Sequence, residues 1–331
     1  MVRKIEVVIP TFNRKANLLR CLTALNASSL PIQTVIIVDG GTQNISEEEI
    51  LLFPELSIQV FHTRGHVCYQ RNFGIQHCSS TWILLCDDDI ELAPDYLQIL
   101  LAQLEKNPKY IAVSGIVLQQ EKGEWVSTYP VESGFGLLFR LVFQMGVWGE
   151  IKRKQNLFSK LLVSYFGKRK NHISKAGWPV ITHFANPSFE TPIYGLGASL
   201  IGRQFLLENP FEEILDSNGI GDNYGVAIQL PGPILVDQNA KAFHLQAEEN
   251  RESTLKRDMK RIFALHFFIV SSGKFKLQTR FWFLWSLIGK ALLSIFHADF
   301  RSAKSGTSAL LKICWGQNPY LIRKKARVNG L

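Results

Sequence analysis

Trp82-Ile83-Leu84-Leu85-Cys86-Asp87-Asp88-Asp89-Ile90 is the stretch on which the reading of this 331-residue chain turns. Five apolar residues in a row, bounded by polar ones, predict a strand buried on both faces. The strand then runs into three adjacent carboxylates. Their mutual repulsion is costly unless a cation or a well-solvated loop offsets it. A hard divalent ion with oxygen ligands, shared with a diphosphate, is one natural partner. The alternative is an acidic cluster at a helix N-terminus, where Asp is favoured.

Reading outward, the same pattern repeats. Ile5–Ile9 is a short β-branched run that ends at Pro10-Thr11. Thr34–Val38 is a second buried run and stops at Asp39-Gly40-Gly41. Ile58–Phe61 and Tyr110–Val117 read as further strands. Between them, Asn17–Leu25, Tyr69–His77 and Pro94–Leu104 carry helical spacing. Strands apolar on both faces, alternating with helices, predict an α/β fold with a mostly parallel sheet covered by helices on both sides. Sites on such sheets form at the carboxyl ends of the strands. Thr11, Asp39 and Asp87–Asp89 all fall there, so three polar clusters converge on one crevice. Sheet-like runs resume near Pro192–Ile201 and Ile234–Val236.

Charge divides the chain unevenly. The net charge is +9, yet residues 251–331 alone hold 16 Lys/Arg and 3 Asp/Glu. Residues 134–178 add a second basic and apolar segment, with 9 basic groups and 1 acidic group. Segments of this kind suit an anionic membrane surface. The runs Ile262–Val270 and Phe281–Phe296 fall short of the ~20 uninterrupted apolar residues a spanning helix needs. They read as amphipathic or shallowly inserted helices, with Trp282 and Trp285 at the interface. Their aromatics lie inside apolar helices and are not interleaved with basic residues, which argues against nucleic acid. Five scattered cysteines without a Cys-x-x-Cys pair predict free thiols in a reducing compartment. The start of the chain lacks an apolar signal region. The expected location is cytoplasmic, peripheral on the inner face of the cell membrane.

The motifs, taken together, resemble the family 2 glycosyltransferases of the GT-A fold. Val7-Val8-Ile9-Pro10-Thr11-Phe12-Asn13-Arg14 is similar to that family's first-strand motif, and Val38-Asp39-Gly40-Gly41-Thr42 to its second. Gly65 with Arg71-Asn72-Phe73-Gly74, then Asp87–Asp89 with Pro94-Asp95, continue the likeness, which runs on through Gly221-Asp222-Asn223 to His244. The resemblance implies inverting transfer of a sugar from a nucleoside-diphosphate sugar to a hydroxyl acceptor, a glycan or a lipid-linked one. It implies that Pro10, Thr11, Asp39, Arg71, Asp87 and Asp88 bind the nucleotide-sugar. It also implies that Asp89 and His244 hold a divalent cation, Mn or Mg. Asp222 is the implied general base, standing alone where the family has an acidic pair, with Asp216 in reserve. Two bland readings stay open beside these: Asp222 as a helix cap and His244 as a structural histidine. Gly40 departs from a position where the family often has Asp or Asn. His62, His66 and His183 have no such support.

The domain reading is a GT-A nucleotide-diphospho-sugar transferase domain over 1–250, with an insertion near 134–178. A basic, apolar helical extension follows over 251–331. Two rival functions compete. A sugar nucleotidyltransferase also uses a nucleotide-binding α/β sheet and a metal, but it begins with a glycine-rich loop where this chain has Pro10-Thr11-Phe12-Asn13-Arg14. A non-catalytic, membrane-associated scaffold of a glycan assembly complex is the other.

Overall fold

The structure, a computed structural model, describes residues 4–127, 130–152, 156–245 and 253–328. It divides into two compact units, neither continuous in sequence: Met1–Ser127, Ala185–Gly219 and Gln229–Arg251 form the first, and Thr128–Phe184, Ile220–Ile228 and Glu252–Leu331 the second. This division differs from the linear one at residue 250. The basic segment 134–178 belongs with the helical extension, not with the sheet, because its apolar side chains have their buried partners there.

The first unit is built on one ten-stranded sheet. Its strands, numbered in chain order, are β1 Ile5–Thr11, β2 Thr34–Asp39, β3 Ile58–His62, β4 Trp82–Cys86, β5 Ile90–Leu92, β6 Ala112–Glu121, β7 Glu124–Val126, β8 Ser188–Thr191, β9 Ala198–Gly202 and β10 Ile234–His244. Their order is β8-β10-β6-β9-β4-β1-β2-β3, with β5 paired to β10 and β7 to β6. The half β3-β2-β1-β4 is parallel throughout. Beyond β4 the direction reverses: β9 runs antiparallel to both β4 and β6. The sheet is therefore mixed, with its parallel half carrying the polar strand ends.

Period-2 alternation explains why β1 is buried along its whole length. On one face, Ile5, Val7 and Ile9 join Leu18, Leu22 and Leu25 of the helix Lys15–Asn26 in a common core. On the other, Val8 faces the helix Val67–His77, where Gly74 lets the two backbones approach. A Cβ at Gly74 would lie 2.5 Å from a Val8 methyl. Burying each such aliphatic side chain contributes about 1.5–3 kcal/mol. The one charged residue inside β1, Glu6, accepts 2.6 Å hydrogen bonds from the Ser79 and Ser80 amides.

All five thiols are free, four of them buried. Burial pushes the Cys78 thiol up to about 12, which leaves it unreactive near neutral pH.

The second unit is mainly helical. Phe135–Val142 and Leu157–Gly167 belong to it, as do the four C-terminal helices Thr254–Ser271, Leu277–Phe296, Phe300–Cys314 and Pro319–Val328. Phe263, Phe267, Phe268, Phe283, Leu287 and Tyr320 are buried in it. Trp178 donates to Ser286 Oγ at 2.8 Å and stacks on Phe283, and Trp285 donates to the Val142 carbonyl at 3.1 Å. Trp285 thus ties the helix Leu277–Phe296 to the helix Phe135–Val142, and Trp178 ties it to the segment before Pro179. No helix among the described residues is long and apolar enough to cross a membrane.

Candidate functional site

The strand ends assemble the site. Parallel pairing sets Thr11 of β1 opposite Asp39 of β2, and Pro10 opposite Val38. Gln70, from the helix behind the sheet, donates to the carbonyls of Thr11 and Val38, both at 2.7 Å. That clamp fixes the two strand ends relative to each other. Asp39 is buried at 2% exposure, and its Oδ1 accepts from the Gly41 amide at 2.8 Å. Gly40 fits because the backbone of Gly65 approaches it: a Cβ there would lie 2.5 Å from the Gly65 Cα. The departure noted in the sequence thus has a steric cause. Asn13, at φ 52, turns the chain after β1, and its Oδ1 accepts from the Thr42 amide at 2.7 Å.

The three carboxylates of the triplet have three different surroundings. Asp87 is the open one. Its Oδ1 accepts from Arg71 Nη2 at 2.5 Å, and Gly197 leaves the room for its side chain. Asp88 turns inward, accepting from Thr11 Oγ1 at 2.7 Å and from Arg14 Nη1 at 3.2 Å. Burial pushes the Asp88 carboxyl up to about 7, opposed by the Arg14 charge and reinforced by Asp89. Asp89 Oδ2 lies 3.7 Å from Arg14 Nη1, and its Oδ1 lies 3.3 Å from His244 Nε2. The repulsion expected from sequence is thus divided among two arginines, a hydroxyl and an imidazole.

His244 reaches Asp89 through strand pairing. β5 follows the triplet directly and pairs antiparallel with the end of β10, matching His244 with Ile90. The Leu245 amide then donates to the Asp89 carbonyl at 2.9 Å. A carboxylate oxygen suits Mn and Mg, whereas an imidazole nitrogen suits transition ions, so the pair fits Mn better than Mg. Among the described residues no third His, Cys, Asp or Glu completes a metal-holding group with them. The two donors fit a cation whose remaining ligands are diphosphate oxygens and water.

Asp222 opens the short helix Asp222–Ala227 in the second unit, as its first residue and not as its cap, which is Gly221. The preceding Gly221 takes φ 98, and Asp222 Oδ1 accepts from the Asn223 amide at 2.6 Å. It sits at 7% exposure in the first turn of that helix, where a carboxylate is favoured. Asp216 lies in a turn of the first unit, its carbonyl accepting from Gly219.

Sequence reading assigned no role to Arg14, Gln70, Asn72 or Gly197. Arg14 was visible as a basic residue just past β1, on the same strand end as Thr11. Asn72 Nδ2 donates to the Phe211 carbonyl and Glu213 Oε1, and its Oδ1 accepts from the Phe211 amide. Gln70 and Gly197 have no local signal, since their partners are distant in sequence. Of the unsupported histidines, His66 accepts from the Tyr69 amide at 3.4 Å and meets the Leu215 carbonyl at 3.0 Å, a helix-capping role.

Comparison with known proteins gives this arrangement a setting. Residues 6–161 match the family model described as glycosyl transferase family 2. The uncharacterized glycosyltransferase YwdF of Bacillus subtilis is 32% identical over 132 residues, 39% of this chain and 47% of that protein. The glucosyl-dolichyl phosphate glucuronosyltransferase of Haloferax volcanii is 27% identical over 38% of this chain and 41% of that protein. The chain thus spans less than half the length of these relatives. The crystal structure of GalNAc-T7 with UDP, GalNAc and Mn2+ has a TM-score of 0.54 at 14% identity, over 82% of this chain and 49% of that one. That likeness concerns the fold, which is of the GT-A kind. Residues 6–161 are thus similar to family 2 glycosyltransferases.

Proposed function

We propose that this chain transfers a sugar, with inversion, from a nucleoside-diphosphate sugar to a hydroxyl of a glycan or lipid-linked acceptor at an anionic membrane surface. One observation carries the reading. Thr11, Asp39, Arg71, the three carboxylates and His244 lie together at the carboxyl ends of β1, β2 and β4, where open α/β sheets bind ligands.

In this reading Pro10, Thr11 and Asp39 face the nucleotide, and Asp39 accepts a hydrogen bond from the base. Asp87 lies by the ribose and is positioned by Arg71. Arg71 also faces the diphosphate. Asp88 ties Thr11 and Arg14 into one wall of the donor pocket. Asp89 and His244 hold the divalent cation, which when bound offsets the charge developing on the leaving nucleoside diphosphate. Asp222 is the base on the strength of the family resemblance. It would take the acceptor hydroxyl proton as that oxygen bonds to the anomeric carbon and the bond to the diphosphate breaks. The UDP and Mn2+ held by GalNAc-T7 agree with a nucleotide donor and a divalent cation.

The membrane reading rests on composition and exposure. The second unit holds 24 Lys/Arg against 6 Asp/Glu, while the first holds 13 against 22. Within that cationic unit Phe135, Leu157, Phe281, Phe296 and Trp315 are each at least 65% exposed. Exposed apolar side chains on a strongly basic unit suit the surface of an anionic bilayer, at about 1 kcal/mol per basic residue near the surface.

The test is direct. Purified protein with Mn2+ or Mg2+ is offered a panel of nucleotide sugars, with and without lipid-linked acceptors, and release of nucleoside diphosphate is measured. Cation-dependent release from one donor is expected. Absence of release across the panel, with protein that is folded and membrane-bound, favours the scaffold instead. Flotation with anionic liposomes should weaken as salt rises, and failure to float at low salt removes the membrane claim.

A further inference from the structure

The second unit contains a cleft of about 500 Å³ whose lining is unusual for its balance of groups. Phe135, Leu137, Val147 and Leu293 supply apolar walls, and Arg140 is the only charged residue among the described lining, with His297 beside it. No carboxylate is among its described lining. Burial of Arg140 lowers its pKa. Its one hydrogen bond is donation to the Gly146 carbonyl at 3.2 Å, and among the described residues it has no ion pair. A partly buried guanidinium without a counter-charge is costly. It is the kind of cation that an incoming anion stabilises.

Arg140, Leu293 and His297 also border a second cavity of about 330 Å³. That one contains Lys290, Asp258 and Asp299, and Lys290 lies 3.3 Å from Asp258. There Lys290 is paired with Asp258, and Asp299 Oδ1 accepts from the Ser302 amide at 3.1 Å. Arg140 borders both cavities, and of the two the first has no carboxylate among its described lining. The first is also open where it needs to be: a Cβ at Gly134 or Gly136 would meet nothing within 4 Å. Phe135 at 70% and Trp148 at 39% exposure stand at the cleft in the strongly cationic unit.

From this geometry we infer that the cleft binds a phosphate-bearing lipid, with the phosphate on Arg140 and the chain along Phe135, Leu137 and Leu293. A free anion would use the guanidinium but leave the apolar walls wet, whereas an uncharged lipid would leave Arg140 unpaired. A guanidinium takes phosphate oxygens through paired N–H donors, which an ammonium cannot match. The site deepens the membrane reading given above and rests on it. It converts a diffuse attraction into recognition of one headgroup, and it gives the protein a means of holding a lipid phosphate at a fixed place.

The experiment uses the full chain and soluble, monomeric probes. Binding of dihexanoylphosphatidic acid is measured by calorimetry, beside inorganic phosphate and dihexanoylglycerol. The short-chain phosphatidic acid should bind at least roughly tenfold tighter than either control, since each control satisfies half of the cleft. Arg140→Gln should weaken it by roughly 10- to 100-fold, the effect of losing a charge-assisted hydrogen bond. Should Arg140→Gln fail to fold by circular dichroism, Gly136→Leu fills the cleft from its open side and should abolish binding. Equal affinity for inorganic phosphate, or unchanged affinity in Arg140→Gln or Gly136→Leu, overturns the proposal. Flotation of Arg140→Gln with phosphatidylglycerol vesicles separates the two claims. If it floats like wild type while neither protein binds the probe, the cleft fails and the membrane reading stands. If wild type does not float, the membrane reading fails.

Discussion

Asp89 Oδ1 and His244 Nε2 lie 3.3 Å apart because β5 and the end of β10 pair side by side, not through any loop that joins them. The pairing makes the two donors a unit, so a change to either should act on the same property. Asp89→Asn keeps the shape and removes the charge. It should lower cation-dependent nucleoside diphosphate release by at least ~100-fold, while the fold stays intact. His244→Gln should raise the Mn2+ concentration needed for half-maximal rate by roughly 10- to 100-fold. Turnover in Asp89→Asn like that of wild type would remove the metal assignment.

Gly197 is the counterpart of Asp87. A Cβ at Gly197 would stand 2.0 Å from Asp87 Oδ2. The carboxylate is the far end of its side chain and can swing aside, so Gly197→Ala should cost less than about 1 kcal/mol of stability. Swinging aside breaks the 2.5 Å contact with Arg71. The expected result is a donor KM raised by roughly tenfold or more, with a nearly unchanged melting temperature. A normal donor KM would mean that Asp87 plays no part in binding the donor.

Much of this site is legible in sequence because it sits at strand ends. Val7–Ile9, Thr34–Val38 and Trp82–Cys86 are apolar on both faces, so their strands and the polar residues that end them can be read locally. Antiparallel β9 could not be read as such. Ala198–Gly202 is a buried run like the others, and direction is set by tertiary pairing. The short strands β5, β7 and β8 carry too few residues to show a period. The inward turn of Asp88 onto Thr11 and Arg14 and the role of Gly197 are illegible for a related reason. One depends on which way a side chain turns, the other on an approach from a distant strand.

Asn72 stands inside the Arg-Asn-x-Gly motif, yet its contacts are structural. Its amide satisfies both the N–H and the C=O of buried Phe211. Asn72→Ala strands both backbone groups, each costing about 1–3 kcal/mol if unsatisfied. The variant should lose on the order of 2–4 kcal/mol by urea denaturation. Its donor KM should change far less than that of Arg71→Gln, whose guanidinium faces the site. A stability loss below 1 kcal/mol would mean that water replaces the amide.

His266 gives the second unit a pH dependence of definite sign. Burial, with the Arg280 charge adding, lowers its pKa to about 4. Its Nδ1 lies 3.1 Å from the Asn318 amide nitrogen, which donates to it, and the ring stacks on Phe283. The folded state therefore holds the neutral ring, and protonation would set two donors against each other. Between about pH 6.5 and 4 the unfolded chain binds a proton that the folded chain does not, so stability falls as the pH falls through this window. Near pH 4 the loss is on the order of 2–3 kcal/mol. Gln in its place keeps an acceptor for Asn318 and does not titrate. In His266→Gln the fall in melting temperature from pH 7 to pH 4 should shrink by several degrees relative to wild type. Parallel melting curves for the two proteins over that range would show that His266 titrates normally in the fold.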